Sequence, residues 1–415
     1  MDRRGVLAAG SAALAGLMAA CAPPPQDAPA TGSAAPDPTT PAPSSSASAT
    51  PTPSPTFTDT DGQPAPKPAG APVPWSDPTA VPHLFVHACV VDPARGFGTS
   101  AMAEGNLNYK ITVAEFKRIL PRLWSRGFVI VSPHELYETL PDGTIKAKTI
   151  MVPENRTPLL FSVDDLNYPA HQKDAGLATR MLVDTDGRVR TEYVDADGTA
   201  HIGAHDVVPV MDDFMDNHPE FSLTGHRGVS ALTGNSGVFG YRSSVSLHAD
   251  SPTFAEDVKA ATAVAEAMKA TGWEFSSHSW SHHAIPKMSL AELREDCDLW
   301  EKDVQPILGA TDLMIFPFGW DLVGTGTYEG AHYQELHSRG FRAYFNVNPG
   351  NYTWGQFFPA YWRGARINVD GITMGRTLRG EADVLTPFFD TAEVVDPSRP
   401  PSISAPGYKY VSPLG

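Results

Sequence analysis

From residue 81 onward, short apolar runs alternate with longer stretches in which apolar residues recur every three or four positions. The short runs indicate buried strands, and the recurring pattern indicates helices with one apolar face. Strands are predicted over residues 83–91, 128–131 and 158–163, and a helix is predicted to begin after Thr112, which can cap its first turn. Strands that alternate with helices are typical of a parallel sheet wrapped by helices.

The same alternation continues through the second half of the chain. A helix is predicted over residues 254–270, and a strand over 273–277 follows it directly. Another helix is predicted from a Ser289 cap to Asp303. The remaining predicted elements are a helix at 206–218 and strands at 220–224, 313–316, 343–347 and 366–369. One domain over residues 81–415 fits the size of an α/β barrel.

An insertion interrupts this pattern near residues 184–206. Two Asp-Gly pairs, Asp186-Gly187 and Asp197-Gly198, separate short segments with β propensity. Because Asp-Gly is a favoured connection between antiparallel strands, we interpret this stretch as an inserted hairpin. A glycine-containing loop further along the chain ends at Arg242, whose role the sequence leaves open.

The first 80 residues have a different character. An arginine pair precedes a short apolar stretch, and Leu17-Met18-Ala19-Ala20-Cys21 resembles a lipobox, so residues 1–21 are interpreted as an export signal whose Cys21 becomes lipidated. A plain cleaved signal and an uncleaved anchor are the alternatives. Residues 22–80 are rich in Pro, Ala, Ser and Thr and are predicted to be a disordered tether. The protein is therefore expected outside the cell, lipid-anchored on the outer face of the membrane.

Charge and cysteine content restrict the possible partners. The formal net charge of -16 argues against a nucleic-acid partner, whose phosphates require Lys and Arg. Cys89 and Cys297 are far apart in the chain, and two buried free thiols are expected, with a disulfide as the alternative. The sequence does not determine the oligomeric state.

Three polar motifs each follow a predicted strand. They are Asp164-Asp165, the pair His278 and His282, and Pro317-Phe318-Gly319. The carboxyl ends of parallel strands form one face, where active sites of such barrels lie. Two imidazoles and one carboxylate suit Zn²⁺ and leave positions open for water and substrate. Taken singly, each motif also fits a solvated loop, a pair of surface histidines or a plain turn.

Together the motifs resemble those of the polysaccharide deacetylases, the NodB-homology domains of carbohydrate esterase family 4. The resemblance rests on an apolar strand that ends in Asp164-Asp165 and on His278-Ser279-Trp280-Ser281-His282, which fits the His-Ser/Thr-x-x-His pattern fully. It implies an α/β fold, the irregular (β/α) barrel of that family. It further implies that Asp165, His278 and His282 bind a divalent metal, most commonly Zn²⁺, and that Asp164 is the general base.

The third motif departs from the usual family pattern. By resemblance, the N–H of Phe318 helps to hold the oxyanion, but Ile315 stands where many members have an arginine. Arg366 is expected to take the place of that arginine beside Asp164, with Arg363 as the alternative. His87, at the end of the first predicted strand, resembles the general acid of circularly rearranged members. A buried strand histidine without a catalytic role is the other interpretation.

The resemblance implies a metal-dependent hydrolase that removes N-acetyl groups from the amino sugars of a cell-envelope polysaccharide, such as peptidoglycan or an exopolysaccharide. Such an enzyme acts on carbon–nitrogen bonds other than peptide bonds. An O-acetyl esterase or another amide hydrolase would fit the same fold. A non-catalytic carbohydrate-binding envelope protein is the third alternative. The expected partners are the polysaccharide and, through Cys21, the membrane.

Overall fold

Seven parallel strands close into a barrel in the part of the chain that the structure, a computed structural model, describes: residues 60–324, 326–348 and 354–400. We number these strands β1 to β7 in chain order: His83–His87, Thr157–Asp164, Gly228–Leu232, Trp273–Ser277, Leu313–Ile315, Ala343–Val347 and Tyr361–Asn368. Each strand pairs in parallel with the next, and β7 pairs with β1. The predicted irregular (β/α) barrel is confirmed.

Alternation along the strands separates the barrel interior from the surrounding helix layer. In β1, Leu84 and Val86 belong to the large apolar cluster shared with the helices. Successive strand side chains point to opposite faces, so Phe85 and His87 face the other way, into the barrel. That interior is partly polar, since Arg366 of β7 donates a hydrogen bond to the Ser162 hydroxyl of β2.

Helices surround the barrel, and those predicted after Thr112, at 206–218, at 254–270 and from Ser289 to Asp303 are among them. Thr112 and Ser289 each cap a helix through a reciprocal bond with a glutamate in the first turn. The α-helices are Pro93–Gly96, Ala103–Tyr109, Val113–Ser125, Pro133–Leu136, Val207–Asn217, Val245–His248, Phe254–Ala270, Leu290–Asp303, Gln305–Leu308, Gly330–Ser338, Gly371–Leu378 and Thr391–Val394. The 3₁₀ turns are Pro78–Ala80, Ala170–Gln172, Pro219–Phe221, Ile285–Lys287 and Pro317–Gly319.

The inserted hairpin is a three-stranded antiparallel sheet. Its strands are Arg180–Val183, Val189–Val194 and Ala200–Gly203, with the middle strand paired to both others. Both predicted Asp-Gly turns connect neighbouring strands of this sheet. Small antiparallel pairs join Pro72–Trp75 to Ile150–Pro153, Tyr137–Thr139 to Ile145–Ala147, and Gly355–Phe358 to β7, while Phe128–Ile130 runs parallel to β2.

The structure corrects several boundaries. The strand at 72–75 is paired, so the end of the predicted tether belongs to the folded part of the chain. The predicted strand at 220–224 is wrong, because Pro219–Phe221 is a 3₁₀ turn. Barrel strand β3 was not predicted, since its sequence Gly-Val-Ser-Ala-Leu has a weak apolar signal. Cys89 and Cys297 are buried free thiols.

The signal peptide, Cys21 and residues 22–59 of the tether lie outside the described residues. Among the residues that are described, no helix is both long enough and apolar enough to cross a bilayer.

Candidate active site

Strand ends bring the predicted site residues to one face of the barrel. Asp164 is the last residue of β2, and it lies in register with His87, the last residue of β1. His278 directly follows β4, and Phe318 follows β5 in a short turn. Parallel strands that end at one face place residues that are distant in sequence around a common centre.

Asp165, His278 and His282 form the one group among the described residues whose ligand atoms are arranged to hold a metal ion. One ligand atom from each residue lies within 4.8 Å of the other two. His278 Nδ1 lies 2.7 Å from the carbonyl oxygen of Ile315. A carbonyl can only accept, so Nδ1 carries the proton and Nε2 presents its lone pair to the site.

The protonation states of these groups also fit a metal centre. Burial lowers the pKa of His282, with a partial offset from the charge of Asp165. Burial raises the pKa of Asp165, but the nearby histidines outweigh it and hold the pKa below its ordinary value. A neutral imidazole and an ionised carboxylate are the forms that bind metal.

Asp164 is held apart from this group by Arg366. The guanidinium donates two hydrogen bonds to the carboxylate, of 2.8 and 2.9 Å, and both side chains are buried. Burial raises the pKa of Asp164, but Arg366 outweighs it, and the pKa falls to about 2. His278 Nε2 lies 4.0 Å from Asp164 Oδ2, so an ionised carboxylate stands beside the candidate metal centre.

Arg366, the residue expected in place of the arginine that the third motif lacks, belongs to β7. Arg366 also lies over the ring of Phe85 at 4.0 Å, which fixes the guanidinium plane inside the barrel. Arg363, the alternative, lies away from Asp164. It bonds to Gln356 and pairs with Asp321 at 3.4 Å. Of the two candidates, the structure therefore places Arg366 beside the carboxylate.

His87 lies close to the carboxylates of Asp164 and Asp165, but its imidazole is neutral. Burial lowers its pKa to about 4, although the charges of Asp164 and Asp165 act in the opposite direction. A histidine in this environment is neutral at pH 7, so any proton that it delivers must first be transferred to it.

Strained backbone concentrates around the candidate metal centre. Asp165, Ser279, His282 and Phe318 all have φ between 58° and 62°, in the left-handed region. Such residues cost on the order of 1–3 kcal/mol each and persist where the surrounding structure holds them. Phe318 is 41% exposed, and its ring meets that of His282 edge-on at 4.6 Å. Phe318 is the second residue of a short 3₁₀ turn. The N–H groups in the first turn of a helix have no acceptor within that helix, so the N–H of Phe318 can bind another group.

Two buried polar side chains that the sequence analysis did not single out hold the ligand-bearing loops. Asp296 accepts the N–H groups of Trp280 and Ser281, at 2.7 and 2.8 Å, within the His278–His282 segment. Asn167, two residues after Asp165, donates to the carbonyls of Thr233 and Gly237.

A sequence signal existed for one of these two residues. Asp296 lies three residues after Leu293 and four before Trp300, so it is an acidic residue on the apolar face of its helix. Charged residues are seldom buried without a partner, so this position suggests a buried contact. Asn167 offers no comparable signal, because polar loop residues are common.

The fold and site define an α/β-barrel protein with a candidate metal centre at the carboxyl ends of its strands. In the comparison with families, residues 249–328 match the model described as polysaccharide deacetylase. This segment holds the His278–His282 motif and Pro317-Phe318-Gly319 but not Asp164. The match supports the predicted family and deacetylation as the class of reaction.

The comparisons with curated proteins and with solved structures add less information about the family. No curated protein matches the chain significantly. Among solved structures, the chain is similar to the Streptococcus pyogenes deacetylase PplD in complex with acetate. The two share 14% sequence identity with a TM-score of 0.36, over 72% of this chain and 93% of that one.

Proposed function

We propose that this protein is a metal-dependent deacetylase that removes N-acetyl groups from the amino sugars of a cell-envelope polysaccharide. One observation carries the proposal. Asp165, His278 and His282 converge within 4.8 Å, and Asp164, held by Arg366, lies beside them at the open end of the barrel. The family match over residues 249–328 supports the same class of reaction.

The chemistry divides between the two neighbouring aspartates. A divalent cation, with Zn²⁺ the best fit to two imidazoles and one carboxylate, would polarise the acetyl carbonyl and make water more acidic. Asp164 accepts the proton of the attacking water, because Arg366 keeps it ionised and orients it. In this proposal the backbone N–H of Phe318 stabilises the negative charge that develops on the carbonyl oxygen.

The leaving amine needs a proton, because an amine anion is too basic to depart. His87 is the candidate donor, since it lies in register with Asp164 at the end of the neighbouring strand. It is neutral before the reaction, and Asp164 acquires a proton during it. We infer that the proton that Asp164 takes from the attacking water passes to His87 and then to the amine nitrogen, which returns Asp164 to its ionised form and His87 to its neutral form.

Export and lipid anchoring at Cys21 belong to the same proposal. A lipidated N-terminus and a Pro-rich tether would hold the domain at the outer face of the membrane, within reach of envelope polymers. Cell fractionation tests this part directly. Cys21→Ser should release the protein or leave it unprocessed, and wild-type protein found free in the medium with an N-terminus beyond Cys21 would contradict it.

The activity itself is tested by metal analysis and acetate release. The purified chain should contain about one divalent ion per molecule and release acetate from chitooligosaccharide or peptidoglycan. Asp165→Ala and His282→Ala should lose metal and activity together. Activity on acetylxylan alone would indicate an O-acetyl esterase. Absence of both metal and acetate release would favour a non-catalytic carbohydrate-binding protein.

A further inference from the structure

A cavity of about 250 Å³ opens between the loop that follows β2 and the inserted three-stranded sheet. The side chains that matter for its chemistry are Tyr168, Lys173, Thr179, Glu192 and Arg242. A space of this size accommodates one sugar ring with its substituents rather than a long oligomer. Neither the inserted sheet nor Arg242 has a part in the chemistry proposed above.

This cavity is connected to the loop that carries Asp165. Tyr168 lies three residues beyond Asp165, and its carbonyl accepts a 2.8 Å hydrogen bond from Arg242 Nη2. The loop that ends at Arg242 also contains Gly234 and Asn235, whose N–H groups both donate to the carbonyl of Trp280, between the two histidine ligands. Tyr168 and Arg242 in the cavity wall therefore belong to two loops, one that follows Asp165 and one that contacts the His278–His282 segment.

The one carboxylate in the cavity is already paired. Glu192 accepts hydrogen bonds from Arg180 at 2.7 Å and from the Thr179 hydroxyl at 2.8 Å. Asp174, next to Lys173 in the chain, pairs instead with Arg95 at 3.5 Å. These contacts leave the cavity with an excess of positive charge.

Lys173 and Arg242 supply that excess. Among the described residues, no carboxylate oxygen lies within 4.0 Å of the charged nitrogens of either side chain. Arg242 donates to the carbonyls of Ser236 and Tyr168, which orient the guanidinium without neutralising it. Burial lowers the pKa of Arg242, and the charge of Asp257 offsets this in part. A guanidinium stays protonated in proteins, so the group is a cation. Two cations face one cavity in a chain whose net charge is -16.

We propose that this cavity binds an acidic sugar residue of the substrate polymer, whose carboxylate or phosphate contacts Lys173 and Arg242 while a neighbouring N-acetyl group lies at the candidate metal centre. The inference rests on the proposed deacetylase function and deepens it. It narrows the substrate class from any N-acetylated polymer to one with alternating or attached anionic groups. Arg favours such groups because its planar fork matches carboxylate and phosphate oxygens.

The test compares two oligosaccharides of equal length in the full chain. One alternates N-acetylglucosamine with glucuronate, and the other is neutral chitotetraose. The wild-type protein should deacetylate the acidic oligomer with the higher kcat/KM. Lys173→Gln should lower the acidic-to-neutral ratio of kcat/KM about tenfold or more. The matched control, Lys259→Gln, removes an exposed lysine from the helix Phe254–Ala270 with the same change in net charge, and it should leave the ratio unchanged.

A binding measurement separates this inference from the proposed function. Titration calorimetry with the acidic tetrasaccharide should show binding that weakens in Lys173→Gln and with added salt, even where no acetate is released. Binding with no turnover of any oligomer would support the cavity and overturn the deacetylase. Equal kcat/KM for both oligomers, unchanged in Lys173→Gln, would overturn the cavity proposal alone. Competition by glucose 6-phosphate but not by glucuronate would identify phosphate as the anion.

Discussion

Asp164→Asn gives the sharpest test of the division of labour between the two aspartates. The substitution keeps the shape of the side chain and removes its charge. Because Asp164 belongs to the Arg366 pair and not to the metal-binding group, metal content should stay near the wild-type value. Deacetylation should fall about 10²-fold or more, the scale of losing a general base. Asp165→Asn is the matched control, and it should lose the metal.

The same variant should be measurably less stable. Burial raises the pKa of Asp164, but Arg366, together with His278 and His87, outweighs it and lowers the pKa from 3.8 to about 2. This net shift corresponds to about 2 kcal/mol of stabilisation of the ionised form. Removing one partner of a buried pair typically costs about 3–5 kcal/mol, because the other charge is left uncompensated. Asparagine keeps one acceptor for the guanidinium, so a loss of about 2–3 kcal/mol is expected. Urea unfolding at pH 7 measures it.

The contribution of Asp164 to stability should change with pH in a definite direction. The pKa of Asp164 is lower in the folded state, so the stabilisation is complete above the ordinary value of 3.8 and is lost as the pH falls through about 2. The difference in unfolding free energy between wild type and Asp164→Asn should therefore narrow from pH 4 to pH 2.

If Asp164→Asn emptied the metal site while Asp165→Asn retained the ion, the assigned roles of the two aspartates would be reversed.

Three further substitutions test the proton donor, the loop supports and a network at the other end of the barrel. His87→Ala should reduce turnover of an N-acetylglucosamine oligomer at least about tenfold more than turnover of an aryl acetate, since only the amine must be protonated to leave; equal losses would exclude His87 as the donor. Asp296→Ala should weaken Zn²⁺ affinity about 10–100-fold, as the loss of a ligand-orienting partner does, whereas Asp298→Ala on the same helix should not. Burial lowers the pKa of His134, but its hydrogen bonds to Asp312 and Glu274 outweigh this and raise the pKa to about 10. The resulting stabilisation of the folded state is complete below pH 6.5 and is lost as the pH rises through about 10. The Tm of His134→Gln should therefore lie below that of the wild type at pH 7, and this difference should shrink by pH 10.5. A difference that stays constant over this range would contradict the assigned ion pairs.

Periodicity alone located most of the barrel. Strands at Trp273–Ser277 and Ala343–Val347 and the helix Phe254–Ala270 have the predicted bounds. These elements are found from sequence because burial on both faces of a parallel strand, or on one face of a helix, leaves a regular apolar pattern. Strand β3 has small residues in place of that pattern, and only its pairing with β2 and β4 identifies it.

The candidate metal set, Asp165, His278 and His282, was expected from the sequence because their motifs resemble those of the polysaccharide deacetylases. The partner of Asp164 required the tertiary structure. The sequence favoured Arg366 but left Arg363 as an alternative. Barrel closure between β7 and β1 places Arg366 against the carboxylate, while Arg363 pairs with Asp321. The neutral state of His87 also depends on burial that no linear pattern contains. Short-range patterns record what each segment buries, whereas charge pairing and pKa values depend on which segments meet.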